Sequence, residues 1–346
     1  MIKKKHTIKD IAHMAGVSKG TVDRVLHNRG KVSKEAFKKV DKILKEIDFK
    51  PNLIARNLKN NRTYVIDVLL PDPDLDPFWI PVNEGILAAT NEFNPFGILV
   101  IKYFYNPNDK SSFLEQAQKA IDSGPDVLIM VPIFLRESQE ILKKCTNADI
   151  LAIMFNNQPK TLKDYIFIGQ DLNQSGRVAA SLMNRIIGKK DKIAIVHINM
   201  EPHMQLKENG FRKFFEELGE SEHIIISKTF DATKKLDFVK DISLFIKENP
   251  TITAFYITNS KAYLFLGTLQ NFNKKEIAII GYDLLNENLK YLKEGSIDFL
   301  IHQKPYRQAY LSVAYIAEHL LFGKSLPTCE LLPIDIITSE NAHYYL

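Results

Sequence analysis

Cysteine is scarce in this chain, with two in 346 residues, Cys145 and Cys329. That is too few for a disulfide framework or a thiolate zinc site, and it suits a reducing cytoplasm. Long apolar runs are missing too. The longest, such as Asp126 to Phe134 and Asp191 to Ile198, are about strand length, far short of the ~18 to 20 residues that span a bilayer. No membrane partner is therefore expected. A secretory signal needs an unbroken apolar core, whereas Lys9, Asp10 and His13 interrupt the stretch from His6 to Val17. A cytoplasmic location is the expectation. Catalytic signatures are scarce as well: there is no Gly-x-x-x-x-Gly-Lys-Ser/Thr, no Gly-x-Gly-x-x-Gly after the apolar run at Tyr64 and no His-Glu-x-x-His. His197, Glu201 and His203 lack further ligand-spaced partners and read as a loop lining a cleft, while Pro71, Pro73 and Pro77 interrupt the alternation of Asp72, Asp74 and Asp76. Neither an enzyme, a metal nor a cofactor is expected.

What the chain does have is an uneven charge. The formal net charge is +5 over all 346 residues. Residues 1 to 62 hold 17 Lys plus Arg against 6 Asp plus Glu, a net +11, which leaves 29 against 35, a net −6, for the other 284. A small basic module therefore precedes a large, mildly acidic one. At 45% hydrophobic and 25% charged, the composition is that of globular material with two or three cores.

The basic module reads as three short helices. Thr7 and Asp10 have the Ser/Thr-x-x-acid spacing of a capped helix start, and Ile8, Ile11, Ala12 and Ala15 share one face. Gly16 ends that helix and Ser18 can cap a second, about Lys19 to Leu26, which buries Val22, Val25 and Leu26 and turns Lys19, Gly20, Asp23 and Arg24 outward. A third helix follows Ser33, with Ala36, Val40, Ile43, Leu44 and Ile47 as its apolar stripe. This is a helix-turn-helix pattern. A soluble helical bundle would also carry lysines, but a net +11 with Lys19 and Arg24 on the exposed face suits phosphate neutralisation and base-edge hydrogen bonding in a major groove.

Thr7-Ile-Lys-Asp-Ile-Ala, Ala15-Gly-Val-Ser18, Thr21-Val22, Arg24-Val-Leu26, Val32-Ser33, and Pro51-Asn52 followed by Ala55-Arg56 and Leu58 resemble the N-terminal domain of LacI/GalR family transcriptional repressors over about 60 residues. The resemblance implies that Lys19, Gly20 and Arg24 occupy base-reading positions, with Ser18, Thr21 and Asn28 near phosphates; Thr7 and Arg29 join the DNA-facing set. It also implies a hinge helix in Asn52 to Asn61 that folds on operator DNA, with Asn52, Ala55 and Arg56 at the DNA and Leu58 as a minor-groove wedge. Such a wedge unstacks a base step at a cost of ~a few kcal/mol, offset by the contacts the bend permits. Gly20 has no side chain for one usual base contact, and Asp23 stands where the family has a small Ser.

From Tyr64 onward, eleven strand-like runs alternate with helix-length amphipathic segments, the pattern of parallel sheets covered on both faces. The expected fold is thus an all-α helix-turn-helix domain plus a two-lobed α/β domain of two doubly wound parallel sheets. The expected divisions are 1–50 for DNA binding, 51–63 for the hinge, and 64–346 for the ligand. Within the last, lobe 1 takes about 64–171 and 303–333, and lobe 2 about 172–300 and 334–346. Ligands lie beyond the carboxyl ends of such strands. The residues there are rich in Asn, Gln, Asp and aromatics, which suit vicinal hydroxyls and the C–H face of a saccharide. Asp76-Pro-Phe78-Trp79 with Gly85-Ile86 is similar to the opening segment of ribose-type periplasmic binding proteins, and the resemblance implies that the two aromatics clasp a small sugar. It further implies ligand roles for Asp283, Asn259 and Gln303, and for Lys207 where the family has an Arg. Asn156 and Asn157, at another strand end, complete the set, although Asn and Asp there can equally be turn formers.

The functional expectation is a repressor that binds a pseudo-palindromic operator as a homodimer and responds to a small saccharide, as inducer or corepressor. A sugar-binding protein of transport or sensing without a DNA role is the alternative, disfavoured by the first 60 residues.

Overall fold

The computed structural model describes residues 6–26, 30, 32–47, 49, 62–157, 165–188, 191–219, 223–269 and 277–346. Asn28, Arg29, Asn52, Ala55, Arg56 and Leu58 lie outside the described residues. The chain divides into two compact units, Met1–Lys59 and Asn60–Leu346.

The first unit contains α1 (Ile8–Ala15), α2 (Lys19–Leu26) and α3 (Lys34–Glu46). Local hydrogen bonding sets each start. Thr7 and Asp10 form a reciprocal capping box, with Asp10 Oδ2 accepting from the Thr7 amide at 2.8 Å. Ser18 Oγ accepts from the Thr21 amide at 3.1 Å, and Ser33 Oγ from the Ala36 amide at 3.2 Å. Gly16 adopts φ 63°, the left-handed geometry that stops α1 and turns the chain into α2. Ile11, Ala12, Ala15, Val22, Val25 and Val40 form the core. Two residues assigned to the apolar face sit at its rim instead: Ile8 is 37% exposed and Leu26 is half-buried, because eight-residue helices place their end residues beyond the crossing.

The second unit is built on two sheets. The first contains β1 (Tyr64–Pro71), β2 (Ile98–Tyr105), β3 (Val127–Met130), β4 (Leu151–Asn156) and β5 (Ile166–Gly169), flanked by α4 (Ile80–Phe93), α5 (Lys110–Asp122) and α6 (Leu135–Asn147). The second contains β6 (Lys192–Ile198), β7 (Ile225–Phe230), β8 (Ile252–Ile257), β9 (Ala278–Tyr282) and β10 (Phe299–His302). Its helices are α7 (Leu172–Ile186), α8 (Pro202–Glu217), α9 (Lys235–Glu248), α10 (Ala262–Leu269) and α11 (Asn286–Lys293). The chain then forms α12 (Pro305–Phe322), β11 (Cys329–Leu331) and β12 (Asp335–Ile337). The strand orders are β11-β5-β4-β3-β1-β2 and β12-β10-β9-β8-β6-β7. All pairings are parallel except β10 with β12. That exception is permitted because β12 arrives through a short link rather than a helical crossover, so the handedness of parallel connections does not constrain it.

Burial follows the two-residue period of strands covered on both faces. In β8, Phe255 and Ile257 enter one buried cluster while Ala254 and Tyr256 enter the other. The helix α12 belongs to the first lobe, where Ala309, Val313 and Ile316 join the core of β1 and β3. β11 was not among the expected strands; three residues with no apolar alternation carry no periodic signal. Two helix pairs cross at glycine. A Cβ on Gly176 in α7 would lie 1.9 Å from the Lys207 carbonyl oxygen in α8, and one on Gly210 in α8 would lie 1.9 Å from that of Asn173. Gly85 in α4 likewise faces the Tyr306 carbonyl of α12 at 2.3 Å.

Candidate functional site

The exposed face of α2 presents Lys19, Gly20, Asp23 and Arg24, with Val22 and Val25 buried beneath it. Ser18 and Thr21 hydrogen-bond to one another through their hydroxyls at 3.0 Å at the start of the helix. A recognition helix needs this division, since the buried residues fix the helix while the outward ones face away from the core.

The second candidate lies where strand order reverses. β1 sits between β3 and β2, and β6 between β8 and β7, so the crevices open at the carboxyl ends of β1 and β8. These ends meet across the lobes. Asp76, after β1, accepts from the Phe78 amide at 3.1 Å and pairs with Lys261, after β8, at 2.9 Å. Phe78 and Trp79 are buried with their rings edge to face, centroids 4.9 Å apart.

On the second lobe the structure brings Lys207, Asp283 and Gln303 together. Lys207 is fully buried; Nζ donates to the Thr258 carbonyl at 3.0 Å and to Gln303 Oε1 at 3.2 Å, and lies 3.7 Å from the centre of the Tyr282 ring. Asp283, held at φ 61°, accepts from the Gln303 amide at 3.0 Å and from Gln303 Nε2 at 2.6 Å. One amide side chain thus bridges a buried cation and a buried carboxylate. Burial pushes the Lys207 ammonium down to about 8, opposed by Asp283 and Glu201. Burial also lowers His203, opposed by Glu201 at 3.3 Å. For Glu201 burial acts upward, but His203, Lys261 and Lys207 outweigh it and hold the carboxyl below its ordinary range.

Asn259 is engaged locally: Nδ2 donates to the Ile198 carbonyl at 2.7 Å and Oδ1 accepts from the Lys261 amide at 3.2 Å. Its amide shapes the turn that carries Lys261. Asn156 and Asn157 are buried at the end of β4, Asn156 at φ 68° with Nδ2 lacking a hydrogen-bond partner among the described residues. A buried amide left open in this way is a donor available to a ligand.

His197 is the sixth residue of β6, inside the strand expected over Lys192 to Ile198, and is buried. Its Nδ1 is 2.8 Å from Thr258 Oγ1 and its Nε2 is 2.7 Å from Glu208 Oε2. No group of three metal-ligating side chains occurs among the described residues. Glu208 is held at about 2, below its ordinary 4.5, by the His197 hydrogen bond first and then by Ser227 and Arg212. A depressed carboxyl pKa contributes stability that is full above pH 4.5 and lost as pH falls toward 2. Glu208→Gln should therefore flatten the melting-temperature profile in that window; a variant curve running parallel to the wild type would contradict the assignment.

Lys261 escaped the sequence reading. Lys261 lies 185 positions from Asp76, and nothing local marks it as a partner.

Residues 7–52 match the model for bacterial regulatory proteins of the lacI family, and residues 66–325 match the periplasmic binding protein domain. The HTH-type transcriptional regulator DegA of Bacillus subtilis is 27% identical over 229 residues, which cover 65% of this chain and 66% of DegA. MalR of Streptococcus pneumoniae is 43% identical over 90 residues, 25% of this chain and 27% of MalR, so the chain spans about a quarter of that relative's length. A protein of Bacteroides fragilis assigned as a LacI transcriptional regulator superposes with TM-score 0.77 at 28% identity, covering 82% of this chain and all of that one. GanP, a glucose-galactose binding protein of Geobacillus stearothermophilus, shares the fold with TM-score 0.71 at 21% identity over 81% of this chain and 99% of its own. The class so defined is a helix-turn-helix domain followed by a two-lobed domain of the periplasmic-binding-protein fold. This chain belongs to the periplasmic binding protein domain family, and its residues 7–52 form a domain of the lacI family of bacterial regulatory proteins.

Proposed function

We propose that the chain is a cytoplasmic, sequence-specific DNA-binding transcriptional repressor without catalytic activity, whose operator affinity is controlled by a small saccharide held between the sensor lobes. The observation that carries this reading is the pairing of an outward cationic face on α2 with a polar, aromatic-flanked crevice at the strand ends. Lys19, Gly20 and Arg24 read bases, with Thr7, Ser18, Thr21, Asn28 and Arg29 at the backbone; Asn52, Ala55, Arg56 and Leu58 act through the minor groove. A homodimer places two recognition helices on half-sites ~34 to 36 Å apart, which accounts for a pseudo-palindromic operator. In the sensor, Asp76, Phe78, Trp79, Asn156, Asn157, Lys207, Asn259, Asp283 and Gln303 form or support the sugar site. A sugar that favours one lobe orientation shifts the population, and through it the DNA-competent form.

Trp79 is the single tryptophan. Titration of its fluorescence against neutral mono- and disaccharides tests the sensor half of the proposal. At least one sugar should give a saturable change that Asp283→Asn abolishes. No response to any of them, with thermal stabilisation by a ligand of another class, would overturn the saccharide reading.

A further inference from the structure

Three segments carry the chain between the lobes: Gly169 to Asp171 after β5, His302 to Lys304 after β10, and Leu332 to Ile334 between β11 and β12. Any change in lobe orientation must bend all three. Gln170 is 1% exposed and lies in the first of them. Its Nε2 donates to the His302 carbonyl at 3.1 Å and to the Pro333 carbonyl at 2.8 Å. One side chain therefore ties its own crossover to both others. Because both neighbours are acceptors, only the nitrogen of the amide can face them, so its orientation follows from hydrogen-bond chemistry. The backbone adds a further tie, from the Leu332 amide to the Gly169 carbonyl at 2.7 Å, and Lys304 pairs with Asp335 at 2.8 Å nearer the surface.

We propose that Gln170 is the hinge clamp of the sensor: its two hydrogen bonds make the three crossovers bend as a unit and so set how readily the lobes separate. Without the clamp each crossover can adjust alone, and the segments that meet across the crevice part more often. The clamp acts through the hinge and touches no ligand, so Gln170 is a positioning residue. This inference rests on the reading of the crevice as an effector site, but its test needs neither effector nor DNA, so its failure leaves that reading standing.

Hydrogen exchange of the full-length protein, followed by mass spectrometry, provides the test. Gln170→Met keeps the length of the side chain and removes both donors. Two lost hydrogen bonds should raise the opening equilibrium about tenfold. The amides of Phe78 and Lys261, which are held by side-chain oxygens on opposite sides of the crevice, should then exchange about tenfold faster, while the interiors of β3 and β8 keep their wild-type rates. If Q170M does not fold, Gln170→Asn carries the same expectation, since it draws the amide back by one methylene. Wild-type exchange at Phe78 and Lys261 would overturn the proposal. So would uniform acceleration through both sheets, the mark of a merely structural amide.

Discussion

Gly176→Ala should lower the melting temperature of the sensor by roughly 5 to 10 °C, as expected for about 3 kcal/mol in a domain of this size. The new Cβ would stand 1.9 Å from the Lys207 carbonyl oxygen and 2.7 Å from its carbon. Overpacking against a flexible side chain can relax, but here the obstacle is helix backbone, fixed by its own hydrogen bonds. α7 and α8 must move apart. The effect reaches the crevice because the residue pushed aside is Lys207, whose ammonium is bonded to Thr258 and Gln303. Loss of stability should therefore come with loss of any sugar response of Trp79. Calorimetry of Gly176→Ala beside Gly267→Ala provides the control, since among the described residues the Cβ of the latter would meet only the Tyr291 hydroxyl, at 3.9 Å. Equal melting temperatures for the two variants would contradict the close crossing.

The second large effect concerns the buried cation itself. Lys207→Met preserves volume but strands the Thr258 carbonyl and Gln303 Oε1 without their donor, a loss on the order of 2 to 3 kcal/mol for two buried acceptors left unsatisfied. The pH dependence distinguishes this from simple packing. The Lys207 ammonium is held near 8 in the folded chain against an ordinary 10.5, so between these values the unfolded chain binds the extra proton. The strain of keeping a buried ammonium is full below pH 8 and is relieved as pH rises. Wild-type stability should thus gain a rising contribution from pH 8 to about 10, where tyrosines begin to titrate, and Lys207→Met should lack it. A variant with the same alkaline slope as the wild type would show that Lys207 is not the titrating group.

The helical module was legible because its determinants are local. Thr7 and Asp10 are three residues apart, and so are Ser18 and Thr21; Gly16 stops the helix by its own backbone geometry. The sheets were legible from their apolar runs, with β11 escaping because Cys329–Leu331 is short and lies at a sheet edge. Within the crevice the sequence named Lys207, Asp283 and Gln303 but could not show that they bond to one another, since Lys207 meets Gln303 across 96 positions of chain. Lys261 and Gln170 were silent for the same reason: their partners are set by tertiary packing. Asn259 stands at its expected strand end, but its bonds to the Ile198 carbonyl and the Lys261 amide, the first across 61 positions, could not be read from the sequence.

The most direct test of DNA recognition by α2 is selection of bound duplexes from a randomised pool by the full-length protein. One pseudo-palindrome should be enriched, with half-site centres one helical turn of about 10 base pairs apart or a multiple of it. Arg24→Ala should relax the preference at one position in each half-site, by ~1 to 3 kcal/mol. No enriched sequence, or an unsymmetrical one that Arg24→Ala leaves unchanged, would contradict it.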